Sequence, residues 1–353
     1  MSNTPTPIDY LNNEARAASF SPEEFGMLEI LSGENWIHKA EALPDPTFFF
    51  HRMIVEGEII VVYASSNVGK SVFCVQMAAD IARTRPVLYV DSELSCKQWQ
   101  MRYWDPDTKK KHLFPGNFLR AQINLTKQKK DGSTVQQQIL QAIEYYASAR
   151  NIRIVFVDNL TFLCNNTEDG LSAGDFMMEL IRLKQLYGLT LVVIAHTPKR
   201  DGKSPIEQND LAGSSRLMNF FDSGIAIGRS AKDPQLRYVK QVKVRTGEFV
   251  WGANHVALYR LEKTNAFTHF EYLEPSTEQE HLRPNNTLTE MEDLQEVARL
   301  RNEGRSVREI ARETGIPSTT VKRKLDKARA QGLVNPETDK NALNPVQEQT
   351  KAE

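Results

Sequence analysis

Four short apolar runs recur between residues 50 and 275, and stretches of helical pattern separate them. The runs are apolar throughout instead of alternating with polar residues, which is typical of strands buried on both faces of a parallel sheet. Helical patterns lie at about 70–83, 134–149 and 174–187. This alternation predicts an α/β fold with a mostly parallel sheet and right-handed crossovers. The four runs are Ile59–Tyr63, Val87–Val90, Ile154–Val157 and Leu191–Ile194.

Three further strand-like runs follow at 224–227, 238–244 and 256–259, with no long helix between them. Strands joined by short connections pair antiparallel, because a parallel pair needs a long crossover. The sequence therefore predicts an antiparallel extension at one edge of the sheet of the main domain.

The pattern changes on both sides of this main domain, which we place at residues 46–275. Residues 1–45 form an arm in which Ser21–Glu24, a capping box with proline in the first turn, predicts one short helix. The polar, proline-punctuated stretch 276–288 predicts a linker. A small all-α domain is predicted for 289–334, and a disordered tail for 335–353.

Composition narrows the class of protein. The 353 residues include 44 basic and 45 acidic side chains, a net charge of -1, and 40% hydrophobic residues. This excludes wholesale disorder and argues against coating of nucleic acid through bulk charge, but not against a local basic patch. The three cysteines lack metal or redox spacing, and no apolar run approaches a membrane span. We expect a cytoplasmic protein with no membrane partner.

Residues 64–71 read Ala-Ser-Ser-Asn-Val-Gly-Lys-Ser, directly after the first strand and at the start of a helix. They fit the phosphate-binding loop, with alanine in place of the first glycine. Backbone N–H groups at a helix N-terminus bind phosphates, the lysine reaches the β- and γ-phosphates, and the serine hydroxyl coordinates Mg²⁺. The sequence therefore predicts ATP and Mg²⁺ as cofactors. The predicted cofactor-binding residues are Ala64, Ser65, Ser66, Asn67, Val68, Gly69, Lys70 and Ser71.

Three polar side chains follow other strands of the predicted sheet. Asp158 ends the third run, where it would share Mg²⁺ with Ser71. Glu93 follows the second run and is either the group that polarises the attacking water or an ordinary solvated carboxylate. His196 ends the fourth run, and it is either a γ-phosphate sensor or a structural histidine. Because ligands bind at the carboxyl ends of parallel strands, we expect these residues to meet.

The order of these motifs, from Asn-Val-Gly-Lys-Ser through Asp-Ser-Glu, Val-Asp-Asn and Ala-His-Thr to Lys-Val-Arg, resembles RecA-like P-loop ATPases. It is most similar to the RepA-type plasmid replicative helicases and their hexameric DnaB-like relatives. The resemblance covers about residues 45–275. It implies a RecA-like core, ATP hydrolysis with Mg²⁺, and assembly into a homo-oligomer, a hexamer. It also implies that Glu93 is the catalytic base, Asp158 the Mg²⁺ carboxylate and His196 the γ-phosphate sensor.

Lys243 and Arg245 match the late Lys-x-Arg of this family, which reaches into the neighbouring subunit's site. The resemblance implies that Arg245 is an arginine finger, with Lys243 beside it; a plain surface cation is the alternative.

Two loops follow the Asp158 and His196 strands, where the family contacts single-stranded DNA. The first, at about 164–175, is acidic and departs from a strand-gripping loop. The second carries Lys199, Arg200 and Lys203, and it is suited to backbone phosphates or is simply a solvated loop.

Three helical patterns fill the small carboxyl-terminal domain. Its second helix opens with a capping box at Ser306, Gly315 lies in a turn, and Val321 anchors the third helix. This spacing is similar to resolvase-like helix-turn-helix domains. Gly315–Ala330 holds five basic residues against one acid, a net charge of +4. A DNA-binding domain is expected, with a protein-binding helical module as the alternative. The predicted DNA contacts are Ser318, Thr319, Thr320, Lys322 and Arg323.

Two functional hypotheses follow. The first is a DNA helicase or motor ATPase in replication of a plasmid or mobile element, with duplex DNA bound by the helix-turn-helix and single-stranded DNA in the ring channel. The second is an ATP-switched, oligomeric DNA-binding regulator that does not unwind DNA, in which assembly sets the avidity.

Overall fold

The computed structural model describes residues 23–164, 173–198, 200–211, 217–283, 287–336 and 339. The chain divides into two compact units, Met1–Leu282 and Arg283–Glu353.

The first unit contains all the strands. They are β1 Glu23–Phe25, β2 Leu28–Ile30, β3 Phe48–Phe49, β4 Ile54–Val55, β5 Ile59–Ala64, β6 Val87–Asp91, β7 Phe118–Gln122, β8 Ile154–Asp158, β9 Thr190–His196, β10 Ser223–Arg229, β11 Leu236–Lys243, β12 Val256–Thr264 and β13 Phe267–Ser276.

Helices lie in both units. In the first they are α1 Gly33–Glu41, α2 Lys70–Ile81, α3 Cys96–Tyr103, α4 Val135–Ala149, α5 Leu160–Cys164 and α6 Ala173–Tyr187, and in the second they are α7 Thr287–Asn302, α8 Val307–Thr314 and α9 Ser318–Ala330.

The central sheet has nine strands in the order β13-β12-β11-β10-β5-β9-β8-β6-β7. The six strands from β10 to β7 are parallel, and β11, β12 and β13 continue the sheet antiparallel beyond β10. This confirms the predicted fold class, a mostly parallel α/β sheet with an antiparallel edge. The two outermost strands, β7 and β13, were not predicted because edge strands keep polar, half-exposed residues that give no continuous apolar run.

Side chains alternate between the two faces of the sheet. Along β5, Ile59 and Val61 pack in a layer with α4 and α6, whereas Ile60 and Val62 pack in a layer with α2. Both layers exclude water from β5, since all six of its residues are buried. This double burial explains why the central strands read as unbroken apolar runs.

The prediction of a helix starting near Ser21 is wrong for the described residues from 23 onward. Strands β1 and β2 form an antiparallel hairpin that turns at Gly26, whose φ is +62°. A left-handed residue cannot continue a right-handed helix, so the capping-box pattern is overridden. The arm does hold one short helix, α1, which begins after Ser32, whose Oγ accepts a hydrogen bond from the Asn35 N–H at 3.2 Å.

The first half of the predicted linker packs on the sheet instead. Residues 278–281 form a 3₁₀ turn in which Glu278 and His281 are 1% and 2% exposed. Glu278 forms a buried ion pair with Lys240 on β11, and the His281 ring is hydrogen-bonded to the Ser230 hydroxyl at 2.9 Å. The polar composition predicts a linker, but it does not show that Glu278 has a partner, because Lys240 lies 38 residues earlier in the chain.

The second unit is a bundle of three helices, as expected for a helix-turn-helix. Its core includes Val297, Ile310, Val321 and Leu325, all buried. Helix α8 carries the predicted capping box and ends at Gly315, whose φ of +68° reverses the chain before α9. Glycine suits this turn because the left-handed conformation carries no Cβ penalty.

Within the described residues, no helix is long and apolar enough to cross a membrane.

Candidate active site

The loop between β5 and α2 has two residues in left-handed conformations. Asn67 has φ +60° and Gly69 has φ +107°. A Cβ on Gly69 would lie 3.0 Å from the Phe270 ring, so both backbone angle and space require glycine there. The loop therefore curls over the N-terminus of α2, where backbone N–H groups have no partner in the helix.

Lys70 begins α2 and is 6% exposed. Its Nζ donates to the carbonyl oxygens of Ala64 (3.0 Å) and Ser65 (3.1 Å), and it lies 3.1 Å from His196 Nδ1. Burial lowers the pKa of Lys70, and the nearby carboxylates of Glu93 and Asp158 partly oppose this. The ammonium is therefore held at the mouth of the loop by groups that a phosphate oxygen can replace.

Asp158, at the end of β8, is 2% exposed. Its Oδ2 accepts the Tyr89 hydroxyl at 2.7 Å, while its buried Oδ1 has no hydrogen-bond partner. Burial raises the pKa of Asp158 to about 6, and the charge of Glu93 adds to the rise, whereas Ser71 and Tyr89 oppose it. A buried carboxylate oxygen without a hydrogen-bond partner suits Mg²⁺, which prefers oxygen ligands. Asp158 and Ser71, which the sequence paired, therefore fit the ion.

Glu93 and His196 meet through Asn159. The Asn159 side-chain amide donates to Glu93 Oε1 and lies 3.3 Å from His196 Nε2, and Glu93 Oε1 is 3.6 Å from the same ring nitrogen. The contact with His196 is the main cause that lowers the pKa of Glu93. Because the Lys70 ammonium can only donate, His196 Nδ1 accepts, and the proton of a neutral ring lies on Nε2, toward Glu93.

Sequence reasoning gave Asn159 no role, although its position directly after Asp158 was a usable signal. It is 3% exposed, and its backbone N–H donates to Ser92 Oγ at 3.0 Å. The Ser92 hydroxyl donates in turn to the Asp158 carbonyl at 2.8 Å. These bonds join the ends of β6 and β8, so the turns that carry the two carboxylates form one unit.

Asp91 and Arg120 hold the turn that carries Glu93. Asp91 Oδ1 accepts the backbone N–H groups of Glu93 and Leu94, both at 2.9 Å, and Asp91 Oδ2 accepts Arg120 Nε at 2.9 Å. The Arg120 guanidinium also lies over the Trp99 ring, 4.5 Å from its centre. Arg120 lies on β7, the edge strand that sequence patterns did not predict.

Lys243 and Arg245 lie at the amino ends of β5 and β10, whereas the phosphate-binding loop follows the carboxyl end of β5. Arg245 Nη1 is 2.6 Å from Asp222 Oδ1, and Asp222 directly precedes β10, which runs parallel to β5. Lys243 Nζ donates to the carbonyl oxygens of Met218 (3.1 Å) and Phe221 (2.7 Å). Burial and the neighbouring Arg245 lower the pKa of Lys243. Neither side chain therefore lies at the end of the strands that carries the phosphate-binding loop of this chain.

In the loop after β9, the arginine side chain bonds to other residues of the same loop. Arg200 pairs with Asp210 and donates to the carbonyl oxygens of Ser204 (2.8 Å) and Pro205 (2.6 Å). This differs from the expected role, since its donors are engaged within the loop rather than free for DNA. Lys203 is half-buried. Lys199 lies outside the described residues, as does most of the acidic loop after Asp158.

Two of the five basic residues of α9 are also engaged inside their unit. Lys324 Nζ is 2.9 Å from Asp293 Oδ2, and Arg329 Nε is 2.7 Å from Asp339 Oδ2. The surface of α9 therefore has fewer free cations than the five basic residues of its sequence indicate.

Lys322 and Arg323 are exposed on α9, and across the part of the unit that the structure describes neither makes an ion pair. Ser318, Thr319 and Thr320 form the first turn of the helix, which has no side-chain cap. The predicted DNA contacts thus form one continuous stretch at the start of α9.

Comparison with family models gave two matches. Residues 29–202, slightly less than half of the chain, match the model of an AAA domain. Residues 287–328 match the helix-turn-helix domain of resolvase. These matches support an ATPase domain of the P-loop type followed by a resolvase-type helix-turn-helix, in the order that the motifs indicated.

A solved structure with similarity is that of a KaiC-like protein from the hyperthermophilic archaeon Pyrococcus horikoshii OT3. It is 16% identical, with 63% of this chain and 94% of that chain covered and a TM-score of 0.43. No curated protein matches the sequence.

The raised pKa of Asp158 predicts how the free energy of unfolding depends on pH. The folded state holds this proton more tightly than the unfolded chain, whose aspartate pKa is about 3.9. The contribution of Asp158 to folding is therefore greatest below pH 4 and is lost as the pH rises through about 6. In the absence of Mg²⁺, Asp158→Asn should raise the free energy of unfolding at pH 7.5 by about 1–3 kcal/mol.

Urea unfolding at several pH values measures this effect. The advantage of Asp158→Asn should shrink as the pH falls from 6 to 4, while Asp80→Asn, a matched change at a half-exposed acid on α2, should show no such trend. A less stable Asp158→Asn protein at pH 7.5 would contradict the assignment of an energetically costly buried carboxylate.

Proposed function

We propose that this chain is a Mg²⁺-dependent ATPase that couples hydrolysis to DNA bound by its helix-turn-helix unit, as a helicase in replication of a plasmid or mobile element. The observation that carries the ATPase part is the meeting of Lys70, Asp158, Glu93 and His196 at one edge of the sheet. A cation, two carboxylates and a helix N-terminus at one place suit a phosphate chain, its metal ion and the attacking water.

Each residue has a defined part in the proposed reaction. Glu93, whose pKa is lowered, is ionised at neutral pH and accepts a proton from the water whose oxygen attacks the γ-phosphorus. The bond from that phosphorus to the β,γ-bridging oxygen breaks, and ADP leaves. Lys70 stabilises negative charge on the phosphates, and Mg²⁺, held by Ser71 and Asp158, would add to this effect.

Assembly completes the proposed site. Arg245 is 65% exposed on the edge away from its own loop, so a second copy is the only chain whose γ-phosphate it can reach. The Asp222 carboxylate holds this arginine in place. We therefore propose a homo-oligomer, a hexameric ring, in which hydrolysis depends on the neighbouring subunit.

A second candidate function is an ATP-switched DNA-binding regulator without unwinding activity. The internal bonds of Arg200 favour it, because a loop that grips single-stranded DNA needs free cations. The proposed DNA contacts at the start of α9 are common to both candidates, since either protein binds duplex DNA.

The arginine finger can be tested by mixing variants. Arg245→Ala should reduce the ATPase rate by at least about 1000-fold, because transition-state charge loses its partner. Adding Lys70→Ala subunits should restore activity, since they supply Arg245 to the intact loops of the first variant. Phosphate release by each protein and by the mixture is the measurement. The double variant Lys70→Ala/Arg245→Ala is the matched control and should not restore activity. Action between subunits would be contradicted if this control restored activity, or if Lys70→Ala failed to do so.

The DNA contacts can be tested through salt dependence. Lys322→Ala/Arg323→Ala should weaken duplex binding by about tenfold or more at low salt and reduce the slope of log K against log salt by about 2. Fluorescence anisotropy with labelled duplex measures both quantities. Arg299→Ala/Arg305→Ala removes the same charge from the same unit and should leave the slope unchanged. An equal effect of both pairs would indicate a non-specific charge effect.

Strand displacement separates the two candidate functions. A helicase should separate forked DNA in the presence of ATP, and single-stranded DNA should stimulate its ATPase. Glu93→Gln should bind ATP and not unwind, because the water loses its base. ATPase without unwinding or stimulation, together with ATP-dependent duplex affinity in Glu93→Gln, would instead support the regulator.

A further inference from the structure

Two arginines that the sequence analysis did not single out lie against the outside of the phosphate-binding loop. Arg229 is the last residue of β10, and Arg237 is near the start of β11. Arg229 Nη2 donates to the Asn67 carbonyl at 2.8 Å, and Arg237 Nε donates to the Val68 carbonyl at 2.7 Å. Two consecutive carbonyl groups of the loop are thus each held by a guanidinium.

These contacts determine where the neighbouring N–H groups point. In a trans peptide the carbonyl and the following N–H point in opposite directions. When the Asn67 and Val68 carbonyls face the arginines, the N–H groups of Val68 and Gly69 therefore face the inside of the loop. The left-handed angles of Asn67 and Gly69 produce the same concave array of N–H groups, which is a form of anion site.

The two cations also repel each other. Arg229 and Arg237 are directly opposite across the β10–β11 ladder, and like charges at such a pair are destabilising. Arg237 is 4% exposed, and its Nη1 donates to the carbonyl oxygens of Pro234 and Leu236. Burial and, to a smaller extent, the charge of Arg229 together lower the pKa of Arg237 to about 10.

No carboxylate neutralises this pair among the residues that the structure describes. Asp233 offsets part of the repulsion at Arg237, but the ion pair that it forms is with Arg260, at 3.6 Å. A buried cation without an anion is costly. Negative charge from outside the chain would offset this cost, and the two arginines lie against a loop whose N–H groups face its concave inside.

We propose that Arg229 and Arg237 are positioning residues for the polyphosphate chain of the nucleotide, which hold the loop's carbonyls outward and its N–H groups inward. The proposal rests on the proposed function and assigns these residues to the same subunit's nucleotide, unlike Arg245. Phosphate charge also offsets the repulsion between the two arginines, so binding relieves a cost present in the free protein.

The test uses Arg229, because it is exposed and its replacement leaves the core intact. Arg229→Ala in the full-length chain should weaken the binding of ADP and of tripolyphosphate by about tenfold, as expected when a charge-assisted hydrogen bond is lost. The KM for ATP should rise by a similar factor with kcat nearly unchanged, and Arg229→Lys should recover most of the affinity. Calorimetric titration and steady-state ATPase rates are the measurements.

Arg83→Ala, which removes the same charge from an exposed site just after α2, is the matched control and should bind both ligands like the wild type. Wild-type affinity in Arg229→Ala, or a fall in kcat at constant KM, would overturn the inference. If the wild type binds ADP and Lys70→Ala does not, the proposed nucleotide site stands whatever Arg229 does. A wild type that binds neither ligand would refute the site and the inference together.

Discussion

The hydrogen-bonded ladder that aligns the four central parallel strands is the constraint on which the site depends. It pairs Ala64 with His196 and Asp91 with Asp158, and β5 and β9 extend two residues beyond β8 and β6, since Asp158 pairs with Ile194. Residues that are far apart in the chain are brought within hydrogen-bond distance because they lie at the carboxyl ends of these strands or in the turns that follow. A shift of one residue in any pairing would turn these side chains to the other face of the sheet.

Around that edge the site keeps charges that the described part of the chain neutralises only in part. Burial raises the pKa of Asp158 and lowers that of Lys70, and Arg229 faces Arg237 across a strand pair. Each arrangement disfavours the folded chain, and a bound charge of the opposite sign would relieve each of them. The site is therefore organised for its ligand and not for the stability of the empty fold.

The amino ends of the same strands have a separate organisation. Asp222 accepts the backbone N–H of Ile59 at 3.0 Å and pairs with both Lys184 and Arg245. One buried carboxylate thus joins β5, α6 and the segment after β11. The phosphate-binding loop and Arg245 therefore lie at opposite ends of β5 and β10.

Much of this protein follows from its sequence alone. Apolar runs of four or five residues predict the buried strands, since burial on both faces excludes polar residues. The phosphate-binding loop and the polar residues at strand ends follow from local patterns and their chain order. The helix-turn-helix follows from caps and glycines, whose conformational preferences act over a few residues.

Other features depended on contacts between distant residues. The hairpin at 23–30 replaces a helix because Gly26 turns left-handed there, and the packed turn at 278–281 depends on Lys240. Arg200 is engaged by Asp210, and Arg120, Arg229 and Arg237 gain their positions only from strand register. Local patterns determine which residues form each strand and helix, whereas the partner of a charged side chain is decided only when the tertiary fold brings distant strands together.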